Sequence, residues 1–289
     1  MSMSLPLKGL LGLSALLVGV HANAADPLAY ALLLNATGSQ SEIGTLDLAT
    51  GTLSNVVQTT FGGGDEAVNG LAYLPGTSTY YTNVGSSLYS VDVSTGALKK
   101  IGSTGIPSGP GIFTAPVTTR SAAYEVLAKL GSAVPLYSLN TTSAATAVIG
   151  NTGIVPVNNS TASSGLTGLY VINDEGASDT GHLYSIDPHT GGATLIGDTG
   201  VKGFRGLIDA GGVDYSVSDP GDSFTQQQIY SVDLDTGKSK LLRNIANKQA
   251  GYFFVGLAPI TSAVPEPGTP ALFTLGVLAT LAAGLRRRT

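Results

Sequence analysis

Two Asp-Thr-Gly triplets carry the strongest chemical suggestion in the chain, Asp198-Thr199-Gly200 and Asp235-Thr236-Gly237. Paired triplets of this kind can bring two carboxylates close enough to share one proton and activate water. Here they lie only 37 residues apart, at different points of a repeat, and Asp235 sits inside a turn motif. Acid-protease chemistry is therefore not expected. His182 and His189 are too few for a zinc site, which needs three or four protein ligands. Both read as solvated loop residues. No Gly-x-Ser-x-Gly elbow offers a nucleophilic serine, and the absence of cysteine excludes a thiol nucleophile, a thiolate metal site and a disulfide framework. Three acidic groups remain: Asp65-Glu66, Asp174-Glu175 with Asp179, and Asp219 with Asp222. Their oxygens suit Ca2+, but none has the spacing of a dedicated calcium loop, so solvated turns are the expectation. No resident metal or cofactor is expected, with Ca2+ the one candidate left open.

The elements that must position these residues form a repeat. LYSVDVSTGALKKIGSTG begins at Leu88, LYSLNTTSAATAVIGNTG at Leu136 and LYSIDPHTGGATLIGDTG at Leu183, with weaker copies from Ile43 and Ile229. Asp47, Asp92, Asn140, Asp187 and Asp233 align at spacings of 45, 48, 47 and 46. That period fits one four-stranded propeller blade, roughly 40 to 50 residues. Within each copy, an alternating Leu-Tyr-Ser-Ile-Asp run reads as a strand, and Asp-x-x-Thr-Gly reads as the turn that follows it.

Tyr30, Tyr80, Tyr124, Tyr170 and Tyr215 mark the preceding strand, and Tyr89, Tyr137, Tyr184 and Tyr230 the strand of the motif itself. Such recurrence favours packing over recognition. Gly70-Leu71, Gly206-Leu207 and Gly256-Leu257 mark innermost strands crowded around an axis. In the third and fourth repeats, residues 113–118 and 165–167 are the expected inner strands. The first repeat lacks an inner strand, and residues 252–260 supply one with nothing after it. Joining them removes two bare edges. The expected fold is an all-β, five-bladed β-propeller closed by pairing of its N- and C-terminal strands.

Propeller sites usually lie at the channel mouth, where inner strands start. The residues before the Gly-Leu marks are Asn69, Ser164, Arg205 and Val255. With no carboxylate or histidine among them, Asn69, Ser164 and Arg205, joined by nearby Glu66, are candidates for ligand binding rather than catalysis.

The two ends lie outside this fold. Lys8, an apolar run at 9–20 and Ala22-Asn23-Ala24 form a secretory signal peptide over residues 1–24, with cleavage after Ala24. Residues 25–262 are the repeat body. At the other end, Val264-Pro265-Glu266-Pro267 precedes an uncharged run at 268–285 and then Arg286-Arg287-Arg288. Eighteen helical residues cover roughly 27 Å, enough for a transmembrane helix, and the arginines would hold that end in the cytoplasm. This order over residues 263–289 resembles the PEP-CTERM sorting signal of Gram-negative bacteria. The resemblance implies recognition of Pro-Glu-Pro by an exosortase-like enzyme, transient anchoring in the inner membrane, and delivery to the cell surface or beyond. Signal peptidase and that enzyme are the implied processing partners.

Hydrophobic residues make up 43% of the 289 and charged residues 11%, which argues against disorder. Residues 25–264 keep 10 of the 14 basic and 18 of the 19 acidic residues, a net charge of −8. Such a surface does not attract nucleic acid. The expectation is a non-catalytic binding or scaffold propeller at the surface or in the extracellular matrix, linked to exopolysaccharide or biofilm. The alternative is a metal-assisted propeller hydrolase or lyase acting on a polysaccharide, with Glu66, Asp174, Glu175 or Asp222 at its centre.

Overall fold

Short alternating runs broken by glycine-bearing turns give twenty strands, and no helix, among the described residues. The computed structural model describes residues 27–60, 68–75, 77–107, 112–119, 121–129, 132–133, 135–155, 161–165, 168–174, 180–218, 227–246 and 251–260. The predicted signal peptide and the predicted membrane span lie outside them.

In chain order, β1 (Leu28–Asn35), β2 (Ser41–Asp47) and β3 (Thr52–Gln58) belong to the closing blade. The second blade is β4 (Asn69–Leu74), β5 (Thr79–Val84), β6 (Ser87–Val91) and β7 (Leu98–Ser103). The third is β8 (Ile112–Thr118), β9 (Ala123–Lys129), β10 (Pro135–Leu139) and β11 (Thr146–Asn151). The fourth is β12 (Thr161–Gly165), β13 (Gly168–Asp174), β14 (Gly181–Ile186) and β15 (Ala193–Asp198). The fifth is β16 (Phe204–Ala210), β17 (Val213–Ser218), β18 (Gln228–Val232) and β19 (Ser239–Asn244). Finally β20 (Tyr252–Pro259) pairs antiparallel with β1, so the first sheet runs β20-β1-β2-β3. The expected closure is what forms. The inner strands β20, β4, β8, β12 and β16 lie side by side around the axis.

Glycine is required where these inner strands touch. A Cβ on Gly206 would stand 2.7 Å from the Leu257 backbone nitrogen, and one on Gly256 would stand 2.6 Å from that of Leu71. Gly206 is bulged out of its ladder at φ 67°, a left-handed conformation that glycine adopts without a Cβ clash.

The core is five wedges between blades rather than one central mass. Leu32, Ile43 and Tyr89 fill the joint between closing and second blades, and Ile172, Leu183, Phe204 and Tyr230 that between the fourth and fifth. Each fully buried side chain of this size stabilises by roughly 1.5–3 kcal/mol. The tyrosine columns pack in these joints, with one correction. Tyr81, not Tyr80, pairs opposite Ser90 as Tyr124, Tyr170 and Tyr215 pair opposite Ser138, Ser185 and Ser231. Neighbouring strand residues face opposite ways. Tyr81 therefore packs forward against Ala123 and Leu139, while Tyr80 turns back, meets Tyr30 edge-on at 5.1 Å and donates its hydroxyl to the Pro259 carbonyl.

The inner strand of the third blade contains the expected 113–118. In the fourth blade it lies earlier than expected, at Thr161–Gly165. Gly165 pairs with Gly168 across the following turn, so this glycine serves a hairpin and not the axis.

Every Asp-x-x-Thr-Gly turn leans on the outer strand of the preceding blade. A Cβ on Gly150 would stand 1.9 Å from the Thr190 carbonyl oxygen, and one on Gly197 2.3 Å from that of Thr236. In the closing blade Gly51 meets the Asn244 carbonyl in the same way, at 2.5 Å from an added Cβ. The outer strands themselves carry a register shift at the same place in all five blades, which disrupts their free edges.

Candidate functional site

The mouth of the ring is set by where the inner strands begin. Asn69 opens β4 and pairs with Asn83. Arg205 is the second residue of β16, opposite Val217. Both are half-buried, at the same end of the ring, with the closing blade between their own blades. Ser164 is not brought to them. It is the fourth of five residues in β12, opposite Leu169, towards the far end of the inner strands. The misplacement follows from reading Gly165 as an axial glycine. Glu66, and with it Asp65, lies outside the described residues, as do Glu175, Asp179, Asp219 and Asp222.

Around this mouth several buried polar side chains hold backbone carbonyls. Thr82 Oγ1 donates to the Gly70 carbonyl at 2.7 Å, and Ser216 Oγ donates to that of Gly206, satisfying the oxygens at two bulges. Gln227 Nε2 donates to the Tyr252 carbonyl at 2.8 Å, and Ser218 Oγ donates to that of Lys202. These hydroxyls and amides fasten the inner strands.

Sequence reasoning missed one polar group that differs in kind. Glu125 on β9 is fully buried, and its Oε1 accepts from Asn83 Nδ2 of the neighbouring blade at 2.6 Å. The equivalent positions opposite the motif tyrosines of the other blades hold Thr82, Val171 and Ser216. A carboxylate here is therefore particular to this joint. Burial raises the pKa of Tyr137 opposite it, and the Glu125 charge raises it further. The visible signal was a single glutamate in a register column otherwise uncharged. Its partner was not visible, because the contact joins two blades.

The Asp-Thr-Gly triplets turn out to be structural and unlike each other. Asp233 caps the fifth-blade turn by accepting the N–H groups of Asp235 and Thr236 at 2.9 and 3.1 Å, so Asp235 merely occupies that turn. Thr199 of the other triplet is buried and donates to the Gly181 carbonyl at 2.7 Å, while its own carbonyl accepts from Ser239 Oγ of the next blade at 2.6 Å. Turn N–H groups and hydroxyls hold the capping aspartates below the usual carboxylate range: the Ser94 hydroxyl acts chiefly on Asp92, the His189 N–H on Asp187 and the Asp235 N–H on Asp233. His189 is an exposed turn residue. His182 is not the solvated loop residue expected: it is half-buried on β14, paired with Asn173 on one side and Asp198 on the other.

One further carboxylate pair lies across the β16–β17 hairpin, where Asp209 faces Asp214. Burial, and then the Asp209 charge, pushes Asp214 up to about 6. Among the described residues no three His, Asp or Glu side chains converge as a metal site would require. An open depression of about 500 Å³ between the second, third and fourth blades is lined by Leu74, Tyr124, Ser138, Asn140, Ile149 and Pro188, none of them charged.

A PEP-CTERM protein-sorting motif matches residues 263–288. The chain thus carries an export and sorting signal behind a five-bladed, propeller-like body. No curated protein matches it. Among solved structures, a nidogen/laminin complex aligns at 11% identity over 82% of this chain and 98% of that one, with a TM-score of 0.49. A protein from Lactobacillus plantarum aligns at 17% identity over 81% and 71%, with a TM-score of 0.43. A luciferin-regenerating enzyme aligns at 10% identity over 75% and 76%, also with a TM-score of 0.43. Likenesses this distant carry nothing about activity.

Proposed function

We propose that this is a non-catalytic binding or scaffold propeller, delivered by an exosortase-type enzyme to the cell surface or extracellular matrix and serving there in contact with exopolysaccharide. The observation that carries the reading is the sorting motif at 263–288, placed directly behind a ring whose closing strand ends at Pro259. The tail provides transient anchoring in the inner membrane through residues 268–285, with Arg286, Arg287 and Arg288 on the cytoplasmic side. The mouth supports binding over catalysis, since its buried hydroxyls and amides serve backbone carbonyls while half-buried Asn69 and Arg205 are suited to polar contacts.

The test uses the exported protein recovered from its native host. Mass spectrometry is expected to find a C-terminus near residues 265–267, and an intact chain through Thr289 would overturn the sorting. A glycan array run with that protein, with and without Ca2+, is expected to show retention of a polysaccharide without turnover. Depolymerisation abolished by EDTA would instead establish the metal-assisted hydrolase or lyase.

A further inference from the structure

The two ends of the described chain meet on one face of the ring. β1 starts at Leu28 and β20 stops at Pro259, Ala29 pairs with Pro259, and the Ile260 N–H donates to the Leu28 carbonyl at 3.3 Å. The inner strands β4, β8 and β16 end at this face too, where they turn into β5, β9 and β17. Asn69 and Arg205 belong to the opposite face, where those strands begin.

Only residues 261–267 separate Ile260 from the apolar run at 268–285. Ile260 and Gly268 are eight Cα–Cα steps apart, a reach of at most about 26–29 Å when fully extended. The eight residues of β20 span about 23 Å, and the blade extends outward from β20 through three more strands, about 14 Å at their usual spacing. A path from Ile260 out to the rim of the blade and then along its depth is about 37 Å, longer than the tether can reach. The tether is too short to pass around the body and let the far face come down on the bilayer.

We propose that, while the tail is in the membrane, the face bearing the chain ends and the β4–β5, β8–β9 and β16–β17 hairpins is held against the lipid headgroups, and the mouth with Asn69 and Arg205 points away from the membrane. This rests on the anchored reading of the tail given above. It makes the hairpin face the surface met by any membrane-embedded enzyme acting at Pro265, Glu266 and Pro267. It also leaves the mouth open to external polymer before processing has occurred.

The absence of cysteine allows a direct test. Ser121→Cys and Val213→Cys place a label on the hairpin face, and Ala36→Cys and Val155→Cys on the mouth face; all four positions are exposed. Each full-length variant is labelled with a fluorophore and reconstituted into phosphatidylethanolamine/phosphatidylglycerol vesicles that carry a headgroup energy acceptor. Quenching is expected to be at least about twofold stronger for the Ser121 and Val213 labels, given the ~23 Å between the two ends of β20. Equal quenching on both faces, or stronger quenching at the mouth, overturns the orientation. A flexible Gly/Ser insert after residue 262 is expected to erase the difference, and its persistence would overturn the tether argument. A chain that fails to float with the vesicles overturns the anchored reading, and the orientation with it.

Discussion

The crowded axis makes a quantitative demand on Gly206, and Gly206→Ala tests it. The substitution carries two costs. The first is backbone: at φ 67° an L side chain is in the left-handed region, at roughly 1–2 kcal/mol. The second is steric: the new Cβ stands 2.7 Å from the Leu257 nitrogen and 3.0 Å from its Cβ and Cγ. Leu257 cannot retreat cheaply, because β20 is hydrogen-bonded to β1 along its length. Overpacking of this kind costs about 1–3 kcal/mol, so the sum is about 3.5 kcal/mol at mid-range. At ~3 °C per kcal/mol for a body of this size, Tm should fall by about 10 °C.

Gly211→Ala is the matched control. Gly211 has φ 69° but nothing within 4 Å of its added Cβ, so it carries the backbone cost alone. That is about 1.5 kcal/mol, or about 4–5 °C. Differential scanning calorimetry of the two full-length variants separates the effects. If Gly206→Ala and Gly211→Ala melt together, the inner strands are not packed as tightly around the axis as described.

Asn83→Leu removes the amide donor of buried Glu125 and should cost about 2–3 kcal/mol in urea denaturation, whereas the double replacement Asn83→Leu with Glu125→Leu should recover most of it; additive losses would refute the coupling. Asp214 and Asp187 should move stability in opposite directions with pH. The folded value of Asp214 is raised to about 6, so its contribution is present below its ordinary 3.8 and lost as pH rises through about 6; Asp214→Asn should flatten the Tm profile between those limits. Asp187 is lowered, so its contribution is present above 3.8 and lost as acid protonates the folded form; Asp187→Asn should reduce the acid limb only, and unchanged limbs in either variant would refute its assignment.

The blade repeat, its turns and the terminal closure were legible because each is local or periodic. An aspartate or asparagine and an alternating run recur every 45 to 48 residues, and the same turn follows each time, with Ala144 standing in the third blade where the others have glycine. Legibility failed where one residue type serves two purposes. Gly165 looks like an axial glycine but faces Gly168 in a hairpin, which carried Ser164 to the wrong end of the fourth blade. Tyr80 and Tyr81 are adjacent tyrosines on opposite faces, and only the pairing with Ser90 tells which belongs to the column. The Asn83–Glu125 contact spans 42 residues and two blades, a separation that no pattern within one repeat encodes. The sorting tail was readable for the opposite reason: its three parts act through their order along the chain and need no fold.

Closure between β20 and β1 also decides how the ring bears load. All other joints inside the blades are backed by continuous chain, whereas this one is a ladder of hydrogen bonds between the first and last strands. Pulling the two chain ends apart, Leu28 from Pro259, would open that ladder at its edge one rung at a time. Pulling on Pro259 while the mouth grips something fixed loads it differently. The force then runs along β20 and strains its seven backbone pairings with β1 together, in shear. If the body is tethered by its tail and holds polymer at its far face, as proposed, it would be loaded in the second, stronger direction.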